Sequence, residues 1–278
     1  MRLDVEHRTA YAYEPAVAGL ALRLRLFARP TAQQRVLDWR VEVDGDPIEP
    51  LITTAYGEPE ALWFARRASD TAEIVARGTI ETSDNAGVLG RETRLRPAIY
   101  LRETRLTKTG EAVRAVSAKA EGDGPLARMH ALNAAVREAL DYREGATDSA
   151  TTAEEAARIG AGVCQDFAHL FVAAARALDV PARYVVGYLH DEAAPELASH
   201  AWAEAHLEGL GWVGFDPVHD VCPTTAHVRL ATGFDAFDAA PIRGTMRPGV
   251  EETMTVSVSV APAGQTQRQG PEGQSQTQ

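Results

Sequence analysis

Cys164 stands in the stretch GVCQDFAHLF, residues 162–171, where a loop of small residues (Gly160, Ala161, Gly162) gives way to a run with helical spacing. A thiol at a helix N-terminus lies among free N–H groups at the positive end of the helix dipole. Both favour the thiolate, which is the nucleophilic form. The Cys164 N–H could also help stabilise an oxyanion, and the small residues leave room for a substrate backbone. The plain alternative is that Cys164 is a small buried apolar residue, the usual state of a free cysteine.

A nucleophilic cysteine needs a base, and the base needs a partner that orients it. Eight histidines are available. His169 lies five positions along the same helix, a turn of about 500° that points it to another face. His200 opens the strand HAWAEAHL, residues 200–207, in which His200, Trp202, Glu204 and His206 share one face. His200 and His206 stand about 20 Å apart along a strand, so they cannot both serve one thiol. His200 is preferred because it lies at the strand mouth, after the polar stretch 190–199, and functional groups gather at element ends. The next strand follows Gly209-Leu210-Gly211 and reaches Asp216-Pro217, so a hairpin returns Asp216 near the level of His200. His206 reads as a residue of a half-wet strand. His7, His130, His190, His219 and His227 carry no functional signal.

These residues need a scaffold, and the chain supplies two kinds. In LALRLRLF, Leu20, Leu22, Leu24 and Leu26 alternate with Ala21, Arg23 and Arg25, one face buried and one wet. Trp39, Val41 and Val43 repeat the pattern and run into the turn Asp44-Gly45. Residues 60–66 and 72–82 offer further strands, which predicts a β-sandwich-like domain over residues 1–115. After Gly122-Asp123-Gly124 the pattern becomes helical. Asp123 is a candidate cap with Pro125 in the first turn, and Leu126, Met129, Asn133, Val136 and Leu140 follow at helical spacing. Thr152 to Glu155 form a capping box for a second helix. A third runs from about Cys164 to Leu178 and stops at Asp179-Val180-Pro181. Strands return at 182–189, 200–207, 211–217 and 255–260. The class is α+β, with a core over residues 120–262 of helices on an antiparallel sheet, and a Gln/Gly-rich tail over 263–278 that is expected to be disordered.

Composition narrows the partners. The net charge is −11, from 28 basic against 39 acidic residues. Nucleic acids and anionic membranes call for a positive footprint, so neither is expected. No leader or apolar span is visible, and two cysteines 58 positions apart make no disulfide framework, so a cytoplasmic protein with reduced thiols is expected. A metal site built from Cys164, His169, His219, Cys222 and His227 is a rival reading, but no recognised ligand spacing supports it. No cofactor is implied, and the number of subunits is not legible.

GVCQDFAHLFVAAARALDVPARYVVGYL, then HAWAEAHLEGLGWVGFDP, resembles the core of the transglutaminase-like superfamily, papain-type cysteine enzymes with Cys, His and Asp in that chain order. HVRLATGFDAFDAAPIRG, residues 227–244, resembles the segment that follows the aspartate in the bacterial branch. HRTAYAY at 7–13, with the β-pattern to about residue 85, resembles that branch's N-terminal β domain. The stretch AYGEPEALWF departs from it, with Glu58 after Gly57 where a Gly-Asn turn is expected.

The resemblance implies that Cys164 is the nucleophile, His200 the base and Asp216 the orienter. Gln165 and Asp166 belong to the family's Cys-Gln-Asp-Phe-Ala-His string, where they would cap or brace the first helical turn. Tyr142 is the positional candidate for a second oxyanion donor, or else a packing residue at a helix end. Trp202 and Trp212 read as core or cleft wall. The implied activity is a cysteine protease or amidase acting on a peptide or amide, free or within a protein, through an acyl-thioester. Acyl transfer to an amine is the alternative. A non-catalytic binding protein on the same fold is the reading from another class.

Overall fold

The computed structural model describes residues 1–91, 94–193, 199–245 and 249–264. Most of the predicted tail lies outside these residues.

Strict alternation sets up the N-terminal unit. β1 (Arg2–Val17) buries Leu3, Val5, His7, Thr9, Tyr11 and Tyr13 on one face. β2 (Ala21–Leu24) buries Leu22 and Leu24, flanked by buried Leu20 and Leu26. β3 (Gln34–Val43) turns through Asp44-Gly45, both at positive φ as the tight turn requires, into β4 (Asp46–Ile48). β5 (Ile52–Thr53), β6 (Pro59–Phe64), β7 (Ser69–Thr82) and β8 (Val88–Gly90) follow. Leucines 20, 22, 24 and 26 pack with Val5, Val41, Ile74 and Ile80 in one core.

The helical part begins with a 3-10 turn, Pro97–Leu101, and α1 (Glu111–Ser117). α2 (Pro125–Ala139) takes Gly124, at φ +91, as its cap, and Asp123 does not cap it. The cause is backbone geometry: a residue at that φ is stable as glycine, and the chain enters the helix one residue later than predicted. β9 (Asp141–Tyr142) precedes α3 (Ala153–Ile159), which has the predicted Thr152–Glu155 capping box. β10 (Ala161–Gly162) leads into α4 (Cys164–Ala177). Then come β11 (Ala182–Leu189), β12 (Ser199–Leu207), β13 (Gly211–Phe215), β14 (His227–Gly233), the single turn α5 (Ala236–Ala239), β15 (Ile242–Thr245) and β16 (Glu251–Pro262).

The core sheet has the order β14-β11-β12-β13-β8 and is antiparallel throughout. α4 is the central helix: residues Asp166 to Arg176 are all buried, and its apolar side packs with Ala182, Ala203, Ala205 and Phe215 of the sheet. The class is α+β, with N-terminal antiparallel sheets ahead of a helix-on-sheet core, as expected from the sequence.

Three segments cross the boundary the sequence suggested at 115–120. β16, assigned by its position to the core, pairs with β1 along its whole length, from Leu3↔Pro262 to Glu14↔Glu251. β15 pairs with β2, and β8 closes the far edge of the core sheet. Period-two alternation identifies a strand but carries no address for its partner. β16 covers an edge that β1 would otherwise leave open. Among the described residues no helix is long and apolar enough to cross a membrane.

Candidate active site

Cys164 is the first residue of α4 and is partly exposed. The loop before it is fixed by the α4 residue Asp166, which is 1% exposed. Its Oδ2 accepts from the Val163 N–H at 2.9 Å and from the Thr147 hydroxyl at 2.6 Å. These two bonds tie the loop to the first turn of α4. A Cβ at Gly162 would sit 2.5 Å from the same oxygen, so only glycine fits there. Gln165 is half-buried on the same turn. The short parallel pair of β9 and β10 sets Gly162 opposite Tyr142 and so draws Tyr142 to the Cys164 loop. The Tyr142 ring lies 6.4 Å from that of Phe167 and is 40% exposed.

The His200 ring has the Cys164 sulfur within electrostatic reach on one side. On the other, its Nε2 stands 2.9 Å from Asp216 Oδ2. The strand pairing produces this. Gly187 of β11 sits opposite His200, and a Cβ on Gly187 would run into the Trp202 ring at 2.6 Å. Without that Cβ, Trp202 lies flat beside His200, with ring centroids 6.0 Å apart, as a wall of the site. Asp216 follows β13 and is fully buried. Its backbone bridges to Val221, and its Oδ1 accepts from the Val218 N–H at 3.1 Å.

Two residues that the sequence reading passed over converge on the same oxygen. His219 Nδ1 lies 2.7 Å from Asp216 Oδ2 and His227 Nε2 lies 3.1 Å from it. The Thr224 N–H donates to His227 Nδ1 at 3.0 Å. His227 is therefore protonated on Nε2 and donates to Asp216. His227 opens β14 much as His200 opens β12, so the element-end criterion used for His200 would have found it. The exposed His219 is three residues from Asp216. Asp220, in contrast, accepts from Asn133 Nδ2 at 2.9 Å. His169 is turned away, and its Nε2 accepts from the Ala236 N–H. Of the metal ligands considered from the sequence, only His219 falls in a group with suitable spacing: the ligand atoms of His200, Asp216 and His219 all lie within 4.8 Å of one another.

A family model described as the transglutaminase-like superfamily core matches residues 112–217, which hold Cys164, His200 and Asp216. The model for the bacterial transglutaminase-like N-terminal region matches residues 3–81. The chain belongs to the transglutaminase-like superfamily. A crystal structure named as a "Putative Cysteine Protease" from Cytophaga hutchinsonii is similar over 96% of this chain and 92% of that one, with 25% identity and a TM-score of 0.75. An uncharacterized protein of Mycobacterium leprae is 29% identical over 259 residues, covering 87% of this chain and 92% of its own. One from Mycobacterium tuberculosis is 27% identical over 291 residues, covering 94% and 93%.

The electrostatics of this transglutaminase-like site follow from burial and hydrogen bonding in opposition. Burial alone would lower the His200 pKa, but the hydrogen bond to Asp216 and the negative charges of Asp216 and Cys164 raise it to about 10. For Asp216 burial would raise the pKa, and the three imidazole bonds hold it well below the usual carboxylate range. Burial lowers His227, which Asp216 only partly offsets. The Tyr142 hydroxyl is pushed up to about 12 by burial and by negative charge at Cys164, so the phenol is protonated and within electrostatic reach of the sulfur. The Cys222 thiol is pushed up by burial.

Proposed function

We propose that this transglutaminase-like protein is a cysteine hydrolase that cleaves an amide or peptide bond through an acyl-thioester on Cys164. The observation that carries this reading is the His200 ring hydrogen-bonded to the buried Asp216 carboxylate, with the Cys164 sulfur at the start of α4 within its electrostatic reach. With its pKa raised to about 10, His200 already holds the thiol proton as an imidazolium beside the thiolate, and the sulfur attacks the carbonyl carbon. The oxyanion meets the Cys164 N–H at the start of α4, with the Tyr142 hydroxyl as the second donor. The imidazolium passes its proton to the leaving amine as the C–N bond breaks. Water then attacks the thioester, His200 removes its proton, and the carboxylic acid and free thiol are released. Asp216 holds the ring with one nitrogen toward the sulfur and stabilises the imidazolium. Gln165 and Asp166 act through the first turn of α4, and Trp202 acts as a wall.

Every proton in this sequence moves between protein groups, substrate and water, so the reading calls for no cofactor. The name of the Cytophaga hutchinsonii relative supports hydrolysis. The same acyl-enzyme attacked by an amine instead of water would make the protein an acyl transferase. The expected substrate is a peptide or amide, in the cytoplasm, with no role for nucleic acid or membrane.

The test is a panel of peptide amides and γ-glutamyl amides, assayed with and without added amine, for wild type and Cys164→Ala. Hydrolysis that disappears in Cys164→Ala is the expected result. Amine incorporation in preference to hydrolysis would move the assignment to transfer. No turnover, together with no electrophile labelling at Cys164, would leave a binding protein on this fold.

A further inference from the structure

The far end of the core sheet carries a cavity that the chemistry at Cys164 does not use. His206 pairs with Trp212, six residues along β12 from His200, which places Trp212 about 20 Å from the catalytic end. Trp212 lines a cavity of about 200 Å³ between the N-terminal unit and the core. Arg29, Arg91, Arg94 and Arg183 line it too, and its described lining contains no aspartate or glutamate. In a chain of net charge −11 such a concentration of one sign is a local construction, not a reflection of composition.

The walls are built to hold their shape. Arg183 is 1% exposed, and its guanidinium stacks 3.9 Å from the Trp212 ring centroid and 5.7 Å from that of Tyr100. Its Nε donates to Glu204 Oε2 at 2.6 Å, while Glu204 Oε1 accepts from Arg229 at 2.7 Å. Glu204 thus divides its charge between two guanidinium groups.

The opposite wall is the turn with Tyr56 and Gly57, where the sequence departs from its family. Glu58, which replaces the expected asparagine, points inward. It is held there by the Thr232 N–H and hydroxyl, each at 2.7 Å, and by Arg25. Gly57, at φ +83, leaves space for the Arg94 side chain, whose Cδ would lie 3.0 Å from a Cβ at that position. Arg91 and Arg94 are exposed, so two guanidinium groups stand at the open mouth of the cavity among the described residues.

We propose that this cavity binds a small organic oxyanion bearing phosphate or carboxylate groups. Guanidinium forks such as those of the exposed Arg91 and Arg94 match the planar or tetrahedral oxygen arrays of such groups, and the half-buried Tyr56 ring is the apolar surface left for the carbon part of the ligand. The volume of about 200 Å³ corresponds to about seven waters, enough for one or two anionic groups on a short frame and too small for a drug-sized molecule. A ligand here touches both the N-terminal unit and the core, so it stabilises their junction by mass action.

The test uses the full chain with pyrophosphate and citrate as probes and potassium chloride at equal ionic strength as control. The readouts are isothermal titration and thermal unfolding. The expected result is saturable binding of at least one probe with a raised melting temperature, weakened roughly tenfold by Arg94→Ala and by Arg91→Ala. The better probe identifies the phosphate or the carboxylate class. Both side chains are exposed, so the unliganded variants should melt as wild type does. A second readout needs no variant: the bound probe should protect Arg91 and Arg94 from phenylglyoxal. Effects no larger than those of chloride, equal affinity in the variants, or unchanged phenylglyoxal labelling would each overturn the proposal.

Discussion

Replacing Asp216 by asparagine keeps the size of the side chain and removes its charge, which separates the orienting role from a purely structural one. In the wild type, Oδ1 takes the Val218 N–H and Oδ2 takes three imidazoles at 2.9, 2.7 and 3.1 Å. Asparagine cannot satisfy this set. If its oxygen keeps the Val218 N–H, its NH2 faces the His227 Nε2–H, and two donors meet. If it flips, the NH2 faces the Val218 N–H instead. A buried charge-assisted hydrogen bond contributes about 1.5–3 kcal/mol, and asparagine retains the weaker neutral bonds, so a stability loss of about 1–3 kcal/mol is expected. The imidazolium also loses its counter-charge. Turnover should fall about 10- to 10³-fold, or about 1.4–4 kcal/mol of barrier.

The pH dependence decides between the roles. His200 has a folded pKa of about 10, above its ordinary 6.5. Its charged form therefore stabilises the fold fully below about 6.5, and that contribution is lost as pH rises through about 10. Asp216 is depressed below 3.8, so its contribution is present above that value and is lost as pH falls through its folded pKa. Asp216→Asn removes the acid window and moves the alkaline one down. The alkaline limb of kcat/KM, and of Cys164 alkylation by iodoacetamide, should move to lower pH with it. Both can be followed beside urea unfolding. If stability fell while the alkaline limb and the turnover per folded molecule matched wild type, Asp216 would be only a turn residue before Pro217, and the orienting argument would fail.

His227→Phe should lower turnover about 3- to 30-fold, since it removes one donor to Asp216 from a buried position. The exposed His219→Ala should stay within about threefold, and equal effects from the two would contradict the burial argument. Iodoacetamide at pH 6 followed by peptide mapping should label Cys164 before Cys222, whose thiol burial keeps protonated; the reverse order would remove Cys164 as nucleophile. Tyr142→Phe should cost about 10²-fold in kcat with little change in KM if the hydroxyl meets the oxyanion, and unchanged kcat would reduce Tyr142 to packing. Glu58→Ala strips the counter-charge from Arg25, which is 2% exposed and is left with carbonyl partners, and should destabilise the protein by about 3–5 kcal/mol in urea unfolding.

The parts of this molecule that were legible in the sequence are those decided within a few residues. α4 begins at Cys164 as read, because small residues end one element and helical spacing starts the next. β11, β12 and β13 fall within a residue or two of their predicted limits. What was not legible depends on what a face meets. Arg25 alternates with buried leucines and was read as wet, but the second face of that strand is covered as well, and Glu58 and the Thr232 carbonyl receive the guanidinium there. The alternation gives the side on which a residue lies and says nothing about what covers it.

The same distinction explains the two missed histidines. His200 was chosen by asking for one base to serve one thiol, and Asp216 by asking for one partner to that base. An ionised carboxylate is not limited to one partner: its two oxygens offer about four lone-pair sites. A buried one must fill most of them or bear the cost of desolvation. Asp216 is fully buried, and a single imidazole would leave it underbonded. Its remaining capacity is taken by the Val218 N–H, by His219 on its own turn and by His227 at the mouth of β14. Once Asp216 is placed in the interior, further donors to it are required by its charge alone. His227 is a donor at an element end, supplied by the next strand in the chain. The acceptor capacity of a buried carboxylate thus calls for donors such as His227, and the burial that creates the demand is set by the fold and not by local sequence.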